Sequence, residues 1–203
     1  MAKLQAYLSY WHKNAQGKTI KYRRYKSRSF VGNLLKYIKF FIGNVTFSTI
    51  YIGYTMYKAT PLAGHAPKRL DGTVFTSVRT GSAILGTAGT NVTDNGIVIG
   101  TGTTPVSLAD FKLANQTTAL RYEAMPFGNI SPIDMSDPNV WKFTITRNFS
   151  NTGTTPVTIN EIGYIITHLG FRILIARDVL TEPITVSPNE TIVIQYLVRF
   201  VKT

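Results

Sequence analysis

Three histidines, His12, His65 and His168, are the side chains of this chain best suited to moving protons near neutral pH. They lie far apart, in unlike contexts, and none has the His-x-x-x-His spacing that presents two ligands to one metal. Each is expected to be a surface or structural residue. The chain has no Cys, so disulfides, thiolate chemistry and Cys-ligated zinc are excluded. Ser107, Ser131 and Ser187 sit in no Gly-x-Ser-x-Gly elbow, so acyl transfer has no nucleophile. Asp134 and Asp137 are close enough to suggest a carboxylate pair, but Ile133-Asp-Met-Ser-Asp-Pro138 reads as a turn in which Asp accepts backbone bonds. Gly100-Thr-Gly102-Thr-Thr-Pro105 begins like a dinucleotide fingerprint. Pro105 stands where the third glycine belongs, and no Gly-Lys-Ser/Thr follows. It reads as a tight loop after a strand. Glu161, Arg177 and Asp178 fall in apolar, strand-like runs where a lone charge is costly, so Arg177 is expected to form a structural ion pair with Glu161 or Asp178. No enzyme, cofactor or metal site is expected.

The charge pattern is more informative. All ten Asp and Glu of the 203 residues lie after Leu70, whereas residues 1–70 hold thirteen of the 22 Lys and Arg. The first segment is therefore +13 and the rest 9 − 10 = −1, which gives the net +12. A block of one sign cannot neutralise itself and needs an anionic partner: nucleic acid, a membrane surface or acidic neighbouring subunits. The candidates for nucleic-acid or subunit contact are Lys18, Lys21, Arg23, Arg24, Lys26 and Arg28. They are interleaved with tyrosines, and eight of the eleven Tyr precede residue 60. Cations among aromatics suit phosphate contacts and base stacking. The first residues contain no apolar run, so no secretory signal is expected.

Three domains are expected from these patterns. Residues 1–28 read as a basic N-terminal arm that orders only against an anion. Residues 29–70 read as an amphipathic helix over 29–43, a strand over 45–57 and a linker. Phe30, Leu34, Leu35, Ile38 and Phe41 form one apolar stripe on the helix and are candidates for subunit contact. A membrane-associated surface over 29–57 is a competing reading. Residues 71–203 read as short β-strands (73–79, 96–99, 118–124, 140–149, 156–166, 171–179 and 190–201) between turn clusters. Ser150-Asn-Thr-Gly153 marks an antiparallel hairpin over 140–166. The last strand is apolar on both faces, as a central or partner-covered strand would be. The expected fold is mainly β: an antiparallel β-sandwich or jelly-roll-like domain preceded by a basic arm and one short amphipathic helix.

Three stretches, in order, carry a resemblance: Gly96-Ile-Val-Ile-Gly-Thr-Gly-Thr-Thr-Pro-Val-Ser-Leu-Ala-Asp-Phe-Lys-Leu113; Phe143-Thr-Ile-Thr-Arg-Asn-Phe-Ser-Asn-Thr-Gly153 running into Val157-Thr-Ile-Asn-Glu-Ile-Gly163; and Leu174-Ile-Ala-Arg-Asp-Val179 followed by Pro183-Ile-Thr-Val-Ser-Pro-Asn-Glu-Thr-Ile-Val-Ile194. Over roughly residues 96–200 the chain resembles small β-sandwich virion structural proteins, of tail, neck or capsid, from tailed phages and related viruses. The resemblance implies a non-enzymatic structural protein of the virion, assembled in the host cytoplasm as a homo-oligomer with other virion proteins. Residues 1–70 lie outside it. Their contact with neighbouring subunits or the packaged genome is expected on charge alone, and a nucleic-acid-binding protein is the alternative.

Overall fold

The computed structural model describes residues 2–27, 50–51, 54–55, 68–74, 86–168 and 170–202. Its framework is antiparallel β-sheet. The strands are β1 (Ala2–Lys13), β2 (Thr19–Ser27), β3 (Ile50–Tyr51), β4 (Tyr54–Thr55), β5 (Gly96–Gly100), β6 (Arg121–Tyr122), β7 (Asp134–Asp137), β8 (Val140–Ser150), β9 (Val157–His168), β10 (Phe171–Val186) and β11 (Thr191–Lys202). Six of them form one sheet in the order β2-β1-β11-β8-β6, with β7 also on β8; three form a second sheet, β10-β9-β5. The two sheets share one core: Leu8, Tyr10, Ile145, Phe149, Ile194 and Tyr196 from the first meet Ile97, Ile99, Ile162, Ile165, Ile173 and Leu174 from the second.

The first correction concerns the N-terminus. Residues 2–27 are not an unpaired arm but a hairpin built into the larger sheet. Asn14 to Lys18 turn the chain, with Gly17 at a φ of 76° that favours glycine. β1 pairs with β11 over twelve residues, from Ala2↔Lys202 to Lys13↔Thr191. Ala6, Leu8 and Tyr10 are buried at every second position. Like charge does not prevent this, because the apolar residues share one face and the cations are carried mostly by β2.

The second correction concerns 140–166. The turn at 150–153 joins no hairpin. β8 pairs with β11, β6 and β7, whereas β9 pairs with β10 and β5, so the connection crosses between sheets. Asn151 holds the crossing. Its Nδ2 donates to Thr155 O (2.9 Å) and Val186 O (2.8 Å), and its backbone exchanges bonds with Glu190 and Asn189.

β11 is an interior strand of the larger sheet, flanked by β1 and β8. β10 is a sheet edge and runs to Val186, beyond the expected 171–179. It slips register between Val179 and Ile184, where Pro183, which has no N–H, is tolerated. Only Arg121–Tyr122 of the expected 118–124 is strand, and Lys68↔Val74 is an isolated bridge at the start of 73–79. Within 45–57 the described residues pair as Ile50↔Thr55 and Tyr51↔Tyr54. The chain reverses there, so 45–57 is not one strand. The helix over 29–43, with Phe30, Leu34, Leu35, Ile38 and Phe41, lies outside the described residues, as do Arg28 and His65.

Candidate functional site

Several residues that carry the resemblance, Gly100, Gly102, Asp110, Glu161 and Arg177, meet in one buried joint. Glu161 faces out of β9 under the loop that follows β5, with no exposed surface. Its carboxylate accepts the backbone N–H of Gly102 (3.2 Å), Ala114 (3.1 Å) and Asn115 (2.7 Å) and the Nε of Arg177 (2.8 Å). Arg177 of β10 also donates to Asp110 Oδ2 (2.8 Å) and Thr104 O (2.9 Å). Burial alone would lower the Arg177 pKa, but the two carboxylates outweigh it and hold the guanidinium above its ordinary range. The two glycines are required by this approach: a Cβ at Gly100 or Gly102 would collide with the Glu161 carboxylate. The Gly-Thr-Gly loop therefore cradles an internal carboxylate, not a nucleotide phosphate.

A second joint was missed by sequence reasoning. Arg147 of β8 is fully buried. All five of its N–H donors reach backbone carbonyls: Nε to Glu123, Nη1 to Asn95 and Ile97, Nη2 to Gly89 and Val92, at 2.8–3.1 Å. Its guanidinium also lies 4.9 Å from the Tyr122 ring centre. Burial lowers the Arg147 pKa to about 10 and raises that of Tyr122 to about 12, so at neutral pH a cation sits beside a neutral phenol. The signal for this site was parity. Arg147 falls on the same face as Ile145 and Phe149, where an apolar residue belongs.

Asp178, the neighbour of Arg177, faces elsewhere. It accepts Ser27 Oγ (2.9 Å) and Tyr196 OH (3.0 Å), tying the end of β2 to the second sheet. At the other end of the hairpin, His12 Nε2 lies 2.8 Å from Glu190 Oε2, which also accepts Ser187 N–H at 2.7 Å. Burial pushes the Glu190 carboxyl up, but the Ser187 N–H and His12 outweigh it and hold it below its ordinary value.

The hairpin sorts the basic candidates. Directly opposed residues of antiparallel strands share a face. Lys21 and Arg23 oppose His12 and Tyr10 on the inner face and reach over the sheet edge to Glu182 of β10, at 3.6 and 3.8 Å. Arg24 and Lys26 oppose Ser9 and Tyr7 on the outer face. Lys18 lies in the turn, exposed. The outer face continues through Gln5, Tyr7, Ser9 and Trp11 of β1 to Arg199, Leu197, Gln195 and Val193 of β11. Arg24 lies over the Tyr7 ring at 4.4 Å and Arg199 at 6.0 Å, and Trp11 packs 5.1 Å from Tyr22.

Among the described residues no group of three or more His, Asp or Glu could hold a metal, and no helix is long and apolar enough to cross a membrane. Asp134 and Asp137 cap turns, accepting the N–H of Ser136 (3.0 Å) and Asn139 (2.8 Å). No family model matches the chain, and no curated protein or solved structure does either.

Proposed function

We propose that this chain is a non-enzymatic structural protein of a virus particle, a β-sandwich module that assembles with copies of itself and with other virion proteins. One observation supports the reading most. Six of the charged and glycine residues that carry the resemblance, Gly100, Gly102, Asp110, Arg147, Glu161 and Arg177, are engaged in internal joints that fasten long loops to the two sheets. A signature whose charged groups are engaged mostly within the fold favours a rigid shape over a reactive site. Rigid modules with repeated contacts close into symmetric rings or shells. Light scattering and negative-stain imaging of the purified chain test the reading. A closed symmetric homo-oligomer is expected, and a monodisperse monomer at high protein concentration and moderate salt would overturn it.

A further inference from the structure

We infer that the outer face of the six-stranded sheet binds single-stranded nucleic acid, with Tyr7, Trp11 and Tyr22 as stacking surfaces and Arg24, Lys26 and Arg199 as the phosphate-binding groups. This does not depend on the virion reading.

Four observations carry it. The first is charge: β1, β2, β8 and β11 contain not one Asp or Glu, and their register places Lys13, Arg24, Lys26, Lys142 and Arg199 on the outer face. Carboxylates reach these strands only from elsewhere, as Glu182 does for Lys21 and Arg23, Glu190 for His12 and Asp134 for Lys142. Arg24, Lys26 and Arg199 form no ion pair among those of the described residues. The second is exposure. Tyr22 is 44% exposed, Arg24 and Lys26 are exposed, and Tyr7, Trp11 and Arg199 are half-buried.

The third is geometry. Tyr7 and Trp11 are four residues apart on the same face of β1, which places them about 13 Å apart along the strand. Each station is reinforced by a neighbour: Arg24 and Arg199 at Tyr7, and Tyr22 at Trp11. A guanidinium stacked on a ring offers a flat surface to a base and a fork to a phosphate. The fourth is an unsatisfied cation: Arg199 Nε is buried against the sheet without a hydrogen-bond partner, so the fold does not saturate this guanidinium.

An acidic protein would satisfy the charge but has no use for paired aromatic stations on a flat sheet. A duplex would present phosphates but no open base faces. Single strands match both features.

Two measurements on the full chain test this. In a Trp141→Phe background Trp11 is the sole tryptophan. Its fluorescence should be quenched on titration with an oligothymidylate of about 15 nucleotides, a length within the range one β-fold covers. Anisotropy with the same oligonucleotide gives affinities. Trp11→Leu or Tyr7→Leu should weaken binding about tenfold, the loss of one stacked base. Arg24→Gln/Lys26→Gln, both at exposed positions, should lower the slope of log K against log salt by about 1.4, since each single-strand phosphate contact contributes roughly 0.7. If the leucine variants fail to fold, the quenching and the salt slope still decide. Equal affinity for a duplex of the same length, unchanged Trp11 fluorescence on binding, competition by polyglutamate as effective as by oligonucleotide, or no binding at low salt would each overturn the proposal.

Discussion

Among the described residues two arginines lie in the interior, Arg147 at 0% exposure and Arg177 at 1%, and they are held in opposite ways. Arg177 has two carboxylates, Glu161 and Asp110. Arg147 bonds five carbonyl oxygens and no acid. The Arg177 joint is neutralised by charge and the Arg147 joint by dipoles. A guanidinium can therefore be buried without a counter-ion when all five donors are satisfied, and the saturation counts for more than the pairing. The difference also divides the labour. Arg147 gathers the loop of residues 89–95, the start of β5 and the strand region near Glu123 under the large sheet. Arg177 and Glu161 gather residues 102–115 under the small one.

The largest test of this comparison is Arg147→Met. It removes the donors of five carbonyls at once, two in buried and three in part-buried bonds, and is expected to cost about 4 kcal/mol in urea unfolding. Arg147→Lys, with three donors in place of five, should recover only part of that. Glu161→Gln should cost somewhat less, about 3 kcal/mol, through the loss of the Arg177 charge pair and of one of the two oxygens that accept the three backbone N–H groups. Adding Arg177→Met to Glu161→Gln should cost less than the two single changes summed, because the cation leaves with its counter-ion. A milder effect for Arg147→Met than for Glu161→Gln would break the comparison.

A third test uses alkali. The Tyr122 pKa is raised to about 12 by burial. Its stabilising contribution is fully present below the unfolded value near 10 and is lost as pH rises toward 12. Arg147, lowered to about 10, acts with the opposite sign in the same window. Tyr164 and Tyr196, both raised by burial, act with Tyr122. Urea midpoints should fall from about pH 10 upward, and Tyr122→Phe should make the fall shallower by roughly 2 kcal/mol over the window. The smallest effect belongs to the exposed pair Lys142–Asp134, 3.2 Å apart. Lys142→Gln should leave the urea midpoint unchanged in the same assay.

The sequence disclosed strands more readily than their partners. Alternation such as Trp141, Phe143, Ile145 marks β8 because a half-buried strand needs it. A turn signal after β8 shows only that the chain bends, and a hairpin and a crossing between sheets use the same residues. Asn151 was legible as a turn residue but not as the clamp of that crossing, since Val186 is far away in sequence. Glu161 and Arg177 drew attention because a charge in an apolar run demands a partner. Asp110 did not, because it lies in a polar loop. At β1 the period-two placement of Ala6, Leu8, Tyr10 and His12 was present in the letters, but the density of cations around it outweighed it. Of the basic candidates, charge alone could not tell Arg24 and Lys26 from Lys21 and Arg23. That distinction is a matter of register.

The pairing of β1 with β11 joins residues between 178 positions (Lys13 with Thr191) and 200 positions (Ala2 with Lys202) apart. On a ribosome adding 5–20 residues per second, the first strand waits roughly 10–40 s for its neighbour to emerge. During that interval the nascent hairpin carries Leu8 and Tyr10 uncovered and the β1 edge that β11 later pairs with open. Closure of the larger sheet thus waits until β11 has emerged. The interval before it is when the emerging chain is most open to pairing with a second copy or to capture by a chaperone.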